Sequence, residues 1–167
     1  MRDIAMRALD TATQRGAAYA DVRVVRFKSE SVAVRNKNVE ALASDESLGF
    51  GVRVIVDGYW GFASSHNVTL QEADEVAAEA VRIARASAIV RGPRADIGPP
   101  QASSGSYRTP FVKDPFAVSL DDKIALLLSA NQLMSSVPNI ISAEGNIYCQ
   151  REDKLFGNSE GAWIEQE

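Results

Sequence analysis

The period of the apolar positions changes several times along the chain, and each change marks an element. Over residues 3–15, Ile4, Ala5, Ala8, Leu9 and Ala12 recur every three to four residues. That spacing predicts a helix with one apolar stripe, and Gly16 stands where a left-handed stop belongs. From Ala20 the period falls to two. "ADVRVVRFKSESVAVRN" predicts a long strand whose alternation slips near Val24-Val25 and again near Glu30–Val32. Each slip implies a bulge or a strong twist, because a one-residue shift moves the buried face to the other side. "RNKN" predicts a turn, with asparagines suited to positive φ. "VEALASDES" then carries the chain back. In "GFGVRVIVDGYWGFASS", residues 49–65, Phe50, Val52, Val54 and Val56 share one face, with Gly51, Arg53, Ile55 and Asp57 on the other. Asp57-Gly58 is a two-residue hairpin signal, since both central residues of a type I′ turn need positive φ. The returning strand, Tyr59 to Ser64, carries Trp60 and Phe62 on one side.

Beyond this meander the period returns to that of a helix. Thr69 and Glu72 form a capping-box pattern, and Ala73, Val76, Ala77, Ala80, Val81 and Ala84 give a face of small residues suited to close packing on a sheet. Residues 91–118 break the pattern. Pro93, Pro99, Pro100, Pro110 and Pro115 lie here, and "PPQASSGSY" offers almost nothing to bury, so this stretch reads as a surface strap or linker. Ser119 and Asp122 open a third helix, with Ile124, Leu127, Leu128, Asn131 and Met134 facing the core and Pro138 closing it. The remainder reads as strands, with turns expected at Glu152-Asp153 and at Asn158-Ser159-Glu160-Gly161. The fold class that follows is α+β: a twisted, mainly antiparallel sheet with helices packed on one face. Both halves run helix, long strand, hairpin, strand, which suggests an internal repeat. The expected organisation is a helix–meander–helix over 1–90, a Pro-rich connection over 91–118, and a helix plus strands over 119–167. Trp163 and Ile164 are committed to a sheet face without a closing turn, so the whole is expected to be the N-terminal domain of a longer protein.

Composition narrows the chemistry. The 167 residues are 46% hydrophobic and 24% charged, which suits a globular domain able to bury roughly 70% of its unfolded surface. No apolar run approaches the ~20 residues that span a bilayer, and the N-terminus has no signal-peptide core. A net charge of −4 argues against general nucleic-acid binding. One cysteine, Cys149, excludes an internal disulfide and fits the reducing cytoplasm.

The candidate reactive groups are few. A dinucleotide fingerprint fails because Val54 stands where the third glycine belongs and a strand follows where a helix should begin. His66, the single histidine, would need two or three further ligands to hold zinc, and Cys149 is the one other soft donor. Ser64 and Ser65 lack a nucleophile elbow. Cys149 alternates with Ile147 and reads as a buried strand residue. No residue is therefore assigned to catalysis or to a metal. Arg23, Arg26, Lys28, Arg35 and Lys37 cluster on the first hairpin and read as the solvated side of a sheet, with an acidic peptide as the alternative ligand. Tyr59 and Trp60 at a hairpin tip, together with Trp163, are the interface candidates. Unpaired sheet edges and such aromatics lead to the expectation that the chain associates with a copy or a neighbour.

The order of these motifs resembles the N-terminal domain of the TldD/PmbA family, also called modulator of DNA gyrase. The resemblance rests on Ala-Asp-Val-Arg at Ala20–Arg23, Asn-x-x-Val-Glu at Asn36–Glu40, Gly-x-Gly-Val-Arg-Val at Gly49–Val54 and Gly-x-x-Gly-Phe-Ala at Gly58–Ala63. The helix at 69–87 and "KLFGNSEG" also fit. The resemblance implies a cytoplasmic zinc metallopeptidase working as a two-subunit assembly, homodimeric or paired with a related subunit. In that scheme zinc-activated water attacks the peptide carbonyl with a glutamate as general base. The zinc motif, His-Glu-x-x-x-His, belongs to the C-terminal domain, and this chain contains no His-Glu pair. The resemblance thus implies a non-catalytic part that walls the peptide cleft, contacts its own C-terminal domain and helps form the assembly, with zinc only in the full-length protein and no direct role for membrane or nucleic acid. The alternative is a PmbA-type partner subunit or regulatory module without zinc; a gyrase modulator is the weaker third reading.

Overall fold

The structure is a computed structural model that describes residues 1–90, 92–100 and 102–167. Arg91 and Gln101, both in the Pro-rich connection, lie outside the described residues. In chain order the elements are α1 (Arg2–Gln14), β1 (Tyr19–Arg35), β2 (Asn38–Val56), β3 (Tyr59–Ser65), α2 (Leu70–Ser87), β4 (Ser104–Tyr107), a 3₁₀ turn (Pro115–Ala117), α3 (Leu120–Ser135), β5 (Glu144–Asn158) and β6 (Trp163–Gln166). The strands form one sheet in the order β3-β2-β1-β5-β6-β4. β2–β3 and β5–β6 are antiparallel, while β4 joins β6 in parallel. A two-residue link makes β1–β2 antiparallel as well, because parallel neighbours need a long crossover. The expected α+β class with a mainly antiparallel sheet is what the chain adopts. No helix among the described residues is long and apolar enough to cross a membrane.

The chain divides into two compact units that are not consecutive in sequence. The first comprises residues 1–26, 47–108 and 152–167; the second comprises 27–46 and 109–151. Strands β1, β2 and β5 contribute residues to both.

In the first unit α1 and α2 cover one sheet face. Ile4, Ala8 and Leu9 of α1, Val76, Ala77 and Ala84 of α2, and Val22, Val24, Phe50, Val52 and Val54 of the sheet make a single apolar core. The periodicities explain it, since every third or fourth helical residue meets every second strand residue. Thr69 caps α2 as its spacing predicts, its hydroxyl accepting from the Glu72 amide at 3.2 Å. Asp57 and Gly58 take φ of 54° and 85°, setting Val56 opposite Tyr59. Gly61 lies directly beneath α2: a Cβ there would stand 2.0 Å from the Ala80 carbonyl oxygen and 2.6 Å from the Ala84 amide nitrogen. The two helices are also clamped to each other. Arg7 donates to Asp74 through Nε at 2.8 Å and Nη2 at 2.7 Å, and the Thr11 hydroxyl donates to the same carboxylate.

The second unit is smaller. α3 covers Val32 and Val34 through Leu127, with Ile124, Leu128 and Ile147 around them. Ser119 caps α3, accepting from the Asp122 amide at 3.1 Å. Asn131 is fully buried and joins three segments: its Nδ2 donates to the Ala143 carbonyl at 2.7 Å and its Oδ1 accepts from the Lys37 amide at 2.8 Å. The 3₁₀ turn is held by Phe116, whose ring lies 4.9 Å from Lys28, 5.5 Å from Arg151 and 5.8 Å from Lys123. Lys123 is itself buried and paired with Glu30.

"VEALASDES", which carries the chain back, forms the first half of the single long strand β2. Several local expectations are corrected. Glu152-Asp153 is not a turn, for β5 runs straight through it; with no glycine or asparagine there, nothing favours two positive φ values. The Pro-rich connection is not wholly irregular, since Ser104–Tyr107 forms edge strand β4. Its ladder needs only main-chain groups, as in the Trp163 amide donating to the Ser103 carbonyl at 2.8 Å, so no apolar pattern announces it. At the first hairpin Asn36 and Lys37, rather than two asparagines, take positive φ. Met134 is exposed, and Lys123 occupies the buried face in its stead. Cys149 is half-buried rather than buried.

Three outcomes follow from this packing. Gly61→Ala drives a methyl group into the α2 backbone and is expected to destabilise the fold by about 3 kcal/mol in urea unfolding. Asn131→Leu keeps the volume but strands the Lys37 amide and leaves the Ala143 carbonyl only its bond from the Asn36 amide, for a loss of about 1–3 kcal/mol, with faster hydrogen exchange at Lys37. The Arg7 guanidinium and the Thr11 hydroxyl hold the Asp74 carboxyl below the usual carboxylate range. A depressed folded value means stabilisation that is complete above the unfolded carboxyl pKa of about 3.9 and lost as pH falls through the folded one. Asp74→Asn should therefore lower Tm at neutral pH, and the gap from the parent should close in acid.

Candidate functional site

The sheet face of the first unit that turns away from α1 and α2 gathers the motif residues. Even-numbered Val22 and Val24 of β1 enter the helix-side core, so odd-numbered Asp21 and Arg23 fall on the other face. On β2, Arg53 lies between core residues Val52 and Val54 and takes the same opposite side. Opposite Arg53 in the register stands Phe62, and opposite Ile55 stands Trp60. Gly61 between them faces α2. The alternation thus brings together the Ala-Asp-Val-Arg, Gly-x-Gly-Val-Arg-Val and Gly-x-x-Gly-Phe-Ala segments on one surface.

Its centre is Asp21, only 1% exposed. One carboxylate oxygen accepts from Arg23 Nη1 at 2.9 Å, and the other from Arg53 Nε at 2.8 Å and Nη2 at 2.7 Å. Both arginine side chains remain partly exposed, so each guanidinium is oriented from below and open to solvent above. Each also covers a ring: Arg53 lies 4.5 Å from the Trp60 centroid and Arg23 lies 5.1 Å from that of Phe156. Tyr19 meets Trp60 edge-on at 6.1 Å. Burial, and then the neighbouring Asp21 carboxylate, push the Tyr19 hydroxyl above its ordinary value, so it stays a proton donor. The β5–β6 turn closes one side. Asn158 accepts from the Ala162 amide at 2.7 Å, and Ser159 exchanges bonds with Ala20 at 2.8 and 3.0 Å. Phe62 is 56% exposed and Trp60 is also open to solvent. A surface of guanidinium edges and flat rings can hold a ligand through carboxylates, carbonyls and apolar side chains. It contains no nucleophile paired with a base.

The same unit has an open cavity of about 480 Å³ where the start of α1 meets β4, β5 and β6, lined among others by Arg2, Tyr107, Lys154 and Glu165.

The sequence-selected residues fall in different surroundings. Trp60 belongs to the arginine–aromatic face. Tyr59 is half-buried, its hydroxyl donating to the Gly92 carbonyl at 3.4 Å. Trp163 is half-buried against the helix-side core, its ring over Gly157 and the Arg2 guanidinium 5.0 Å away. His66 is exposed at the end of β3. The basic residues of the first hairpin are largely paired: Arg23 with Asp21, Lys28 with Glu30, and Arg35 with Glu40 and Glu144. Sequence reasoning missed Asp21, Phe62 and Phe156 as parts of the surface. The available signal was an aspartate two residues before an arginine in a strand, which places both on one face.

The donor set does not fit zinc. Among the described residues no group of three or more His, Cys, Asp or Glu side chains could hold a metal ion, and no buried side-chain nitrogen or oxygen lacks a hydrogen-bond partner.

Two family models match the chain: PmbA/TldA metallopeptidase domain 1 over residues 20–84 and the PmbA/TldA metallopeptidase central domain over residues 113–167. A metalloprotease of Synechocystis sp. is 29% identical over 155 residues, covering 92% of this chain and 32% of that protein. The chain thus spans about a third of the length of the curated relatives it matches. A Bacteroides thetaiotaomicron protein described as a candidate modulator of DNA gyrase superposes with a TM-score of 0.79 at 19% identity, over 98% of this chain and 38% of that one. TldE from Thermococcus kodakarensis does so with 0.75 at 16%, over 98% and 37%. These two are likenesses of fold. The chain belongs to the PmbA/TldD metallopeptidase family.

Proposed function

We propose that this chain is the N-terminal, non-catalytic part of a cytoplasmic PmbA/TldD-type zinc metallopeptidase. It walls the cleft that holds an extended peptide, contacts the C-terminal domain, and takes part in a paired-subunit assembly. The observation that carries this reading is a two-domain family match on a chain whose own donor set does not fit zinc. The metal and its chemistry belong to the part of the protein outside this chain. What these residues contribute is binding and shape. The Asp21 clamp fixes two guanidiniums, Trp60 and Phe62 present flat apolar surface beside them, and the helix-side core keeps the sheet beneath them rigid. Such a face suits peptide backbone carbonyls and acidic or apolar side chains.

The reading is tested in two parts. Chain 1–167, dialysed and analysed for metal, is expected to fold without zinc and to leave a peptide library uncut. In the full-length protein, chelation should abolish cleavage. There, Trp60→Ala or Arg53→Gln should raise KM several-fold more than it lowers kcat, with Tm of the Trp60 variant nearly unchanged. Tight stoichiometric zinc on 1–167, or cleavage by it, would overturn the assignment. Unchanged KM in both variants would remove the face from the cleft.

A further inference from the structure

Asp21 is surrounded by more positive charge than it needs. Arg53 alone would serve as its counter-ion, with Nε at 2.8 Å and Nη2 at 2.7 Å from one carboxylate oxygen. Arg23 adds a second guanidinium, with Nη1 at 2.9 Å from the other oxygen. Two guanidiniums and one carboxylate leave one positive charge at the surface of a chain whose total is −4. These bonds do not use Arg53 Nη1 or Arg23 Nε and Nη2, which have no other partner among the described residues. The Arg53 and Arg23 side chains are 40% and 44% exposed. Each is fixed at Asp21 and lies over a ring, Trp60 for Arg53 and Phe156 for Arg23, so little side-chain freedom remains to be lost on binding. Apolar surface therefore flanks the pair on both sides. Toward β3 it widens, because Phe62 stands opposite Arg53 and its ring lies over Gly51, where a Cβ would come within 2.8 Å of it.

We infer that Arg23 and Arg53 together select an acidic side chain in the extended peptide that this face holds, with apolar residues on either side of it. This deepens the peptide-holding part of the proposed function and rests on it. Three features favour that ligand. A planar guanidinium with unspent N–H groups gains most from a carboxylate, whose two oxygens match its fork. The surplus positive charge disfavours a lysine or arginine at the same place. The rings decide between a side chain and a terminal carboxylate. A chain crossing the strands meets an aromatic surface before and after its acidic residue, on the β3 side and on the β5 side, whereas a chain end uses one side only.

The test is fluorescence anisotropy on metal-free full-length protein, with dye-labelled short peptides whose ends are blocked. At low salt a peptide centred on Leu-Glu-Leu should bind about five- to ten-fold more tightly than its Leu-Gln-Leu twin. A Leu-Lys-Leu peptide should bind more weakly than either. Raising the salt to ~0.5 M should narrow the gap between the Glu and Gln peptides. Arg23→Gln leaves Asp21 its two bonds from Arg53 and should bring the ratio below about two-fold with the protein still folded, as Tm checks; Arg53→Lys, which keeps the charge without the fork, should lower it in part. Trp60→Ala should weaken the Glu and Gln peptides alike. Equal affinity for those two peptides in the parent protein would sink the acidic preference, and the peptide face itself would stand if Trp60→Ala still weakened both. A preference that survives both arginine substitutions would take the assignment away from this pair. A Leu-Gln-Leu peptide with a free C-terminus that matches the Leu-Glu-Leu one would give the pair to a chain end and defeat the side-chain assignment. Failure of every peptide to bind would remove both the preference and the cleft reading beneath it.

Discussion

A carboxylate sealed from water must find its counter-charges within the protein, and Asp21 finds them in Arg23 and Arg53. This constraint links β1 to β2, because Arg53 of β2 reaches one carboxylate oxygen of Asp21 on β1 while Arg23, two residues along β1, takes the other. Desolvating the three groups makes the cluster a modest source of stability at best. Its effect is positional. Arg53 is drawn across Trp60 and Arg23 across Phe156, which decides where the rings of that sheet face lie and which edges of the guanidiniums meet solvent. The helix-side face of the same strands is fixed by a different force. There Val22, Val24, Val52 and Val54 meet the alanine-rich face of α2, and Gly61 lets the α2 backbone rest almost on β3.

The two units solve the same packing problem with different materials. The first has two helices over a wide sheet and a core of valine and alanine. The second has α3 alone over Val32 and Val34, and completes itself with polar links: Asn131 to Lys37 and Ala143, and Lys123, Lys28 and Arg151 around Phe116. Polar links of this kind specify a register but bury little apolar surface, so α3 keeps an uncovered flank where Leu126 and Leu133 are exposed. The groups assembled around Asp21 orient and attract; none of them is paired as nucleophile and base.

Much of this was present in the pattern of side chains. Apolar spacing alone marks α1, α2 and the strands of the hairpin, Asp57-Gly58 marks the turn, and Thr69 and Ser119 mark helix starts, because each depends on residues close in sequence. The slips of phase in β1 are real as well, with buried positions passing from Val22 and Val24 to Ser29 and then to Val32 and Val34. Family membership was readable too, through short motifs whose spacing follows from strands and turns.

Only tertiary structure decided the rest, and the reason is the same in each case: the deciding partner is distant in sequence. β4 exists because β6 offers it a ladder of main-chain groups, which leaves no trace in side-chain pattern. Glu152-Asp153 continues a strand, with no residue there suited to a turn, inside a β5 that runs from Glu144 to Asn158. Lys123 is buried because Glu30 and Phe116 receive it, whereas Met134, apolar and correctly spaced, finds no wall to pack against. The sequence by itself determined the elements, the turn chemistry and the absence of a His-Glu pair, all local or compositional properties. Which arginines gather on Asp21, which rings they cover and which flank of α3 stays bare were decided by the meeting of strands and helices, where burial and counter-charge depend on residues the local pattern cannot see.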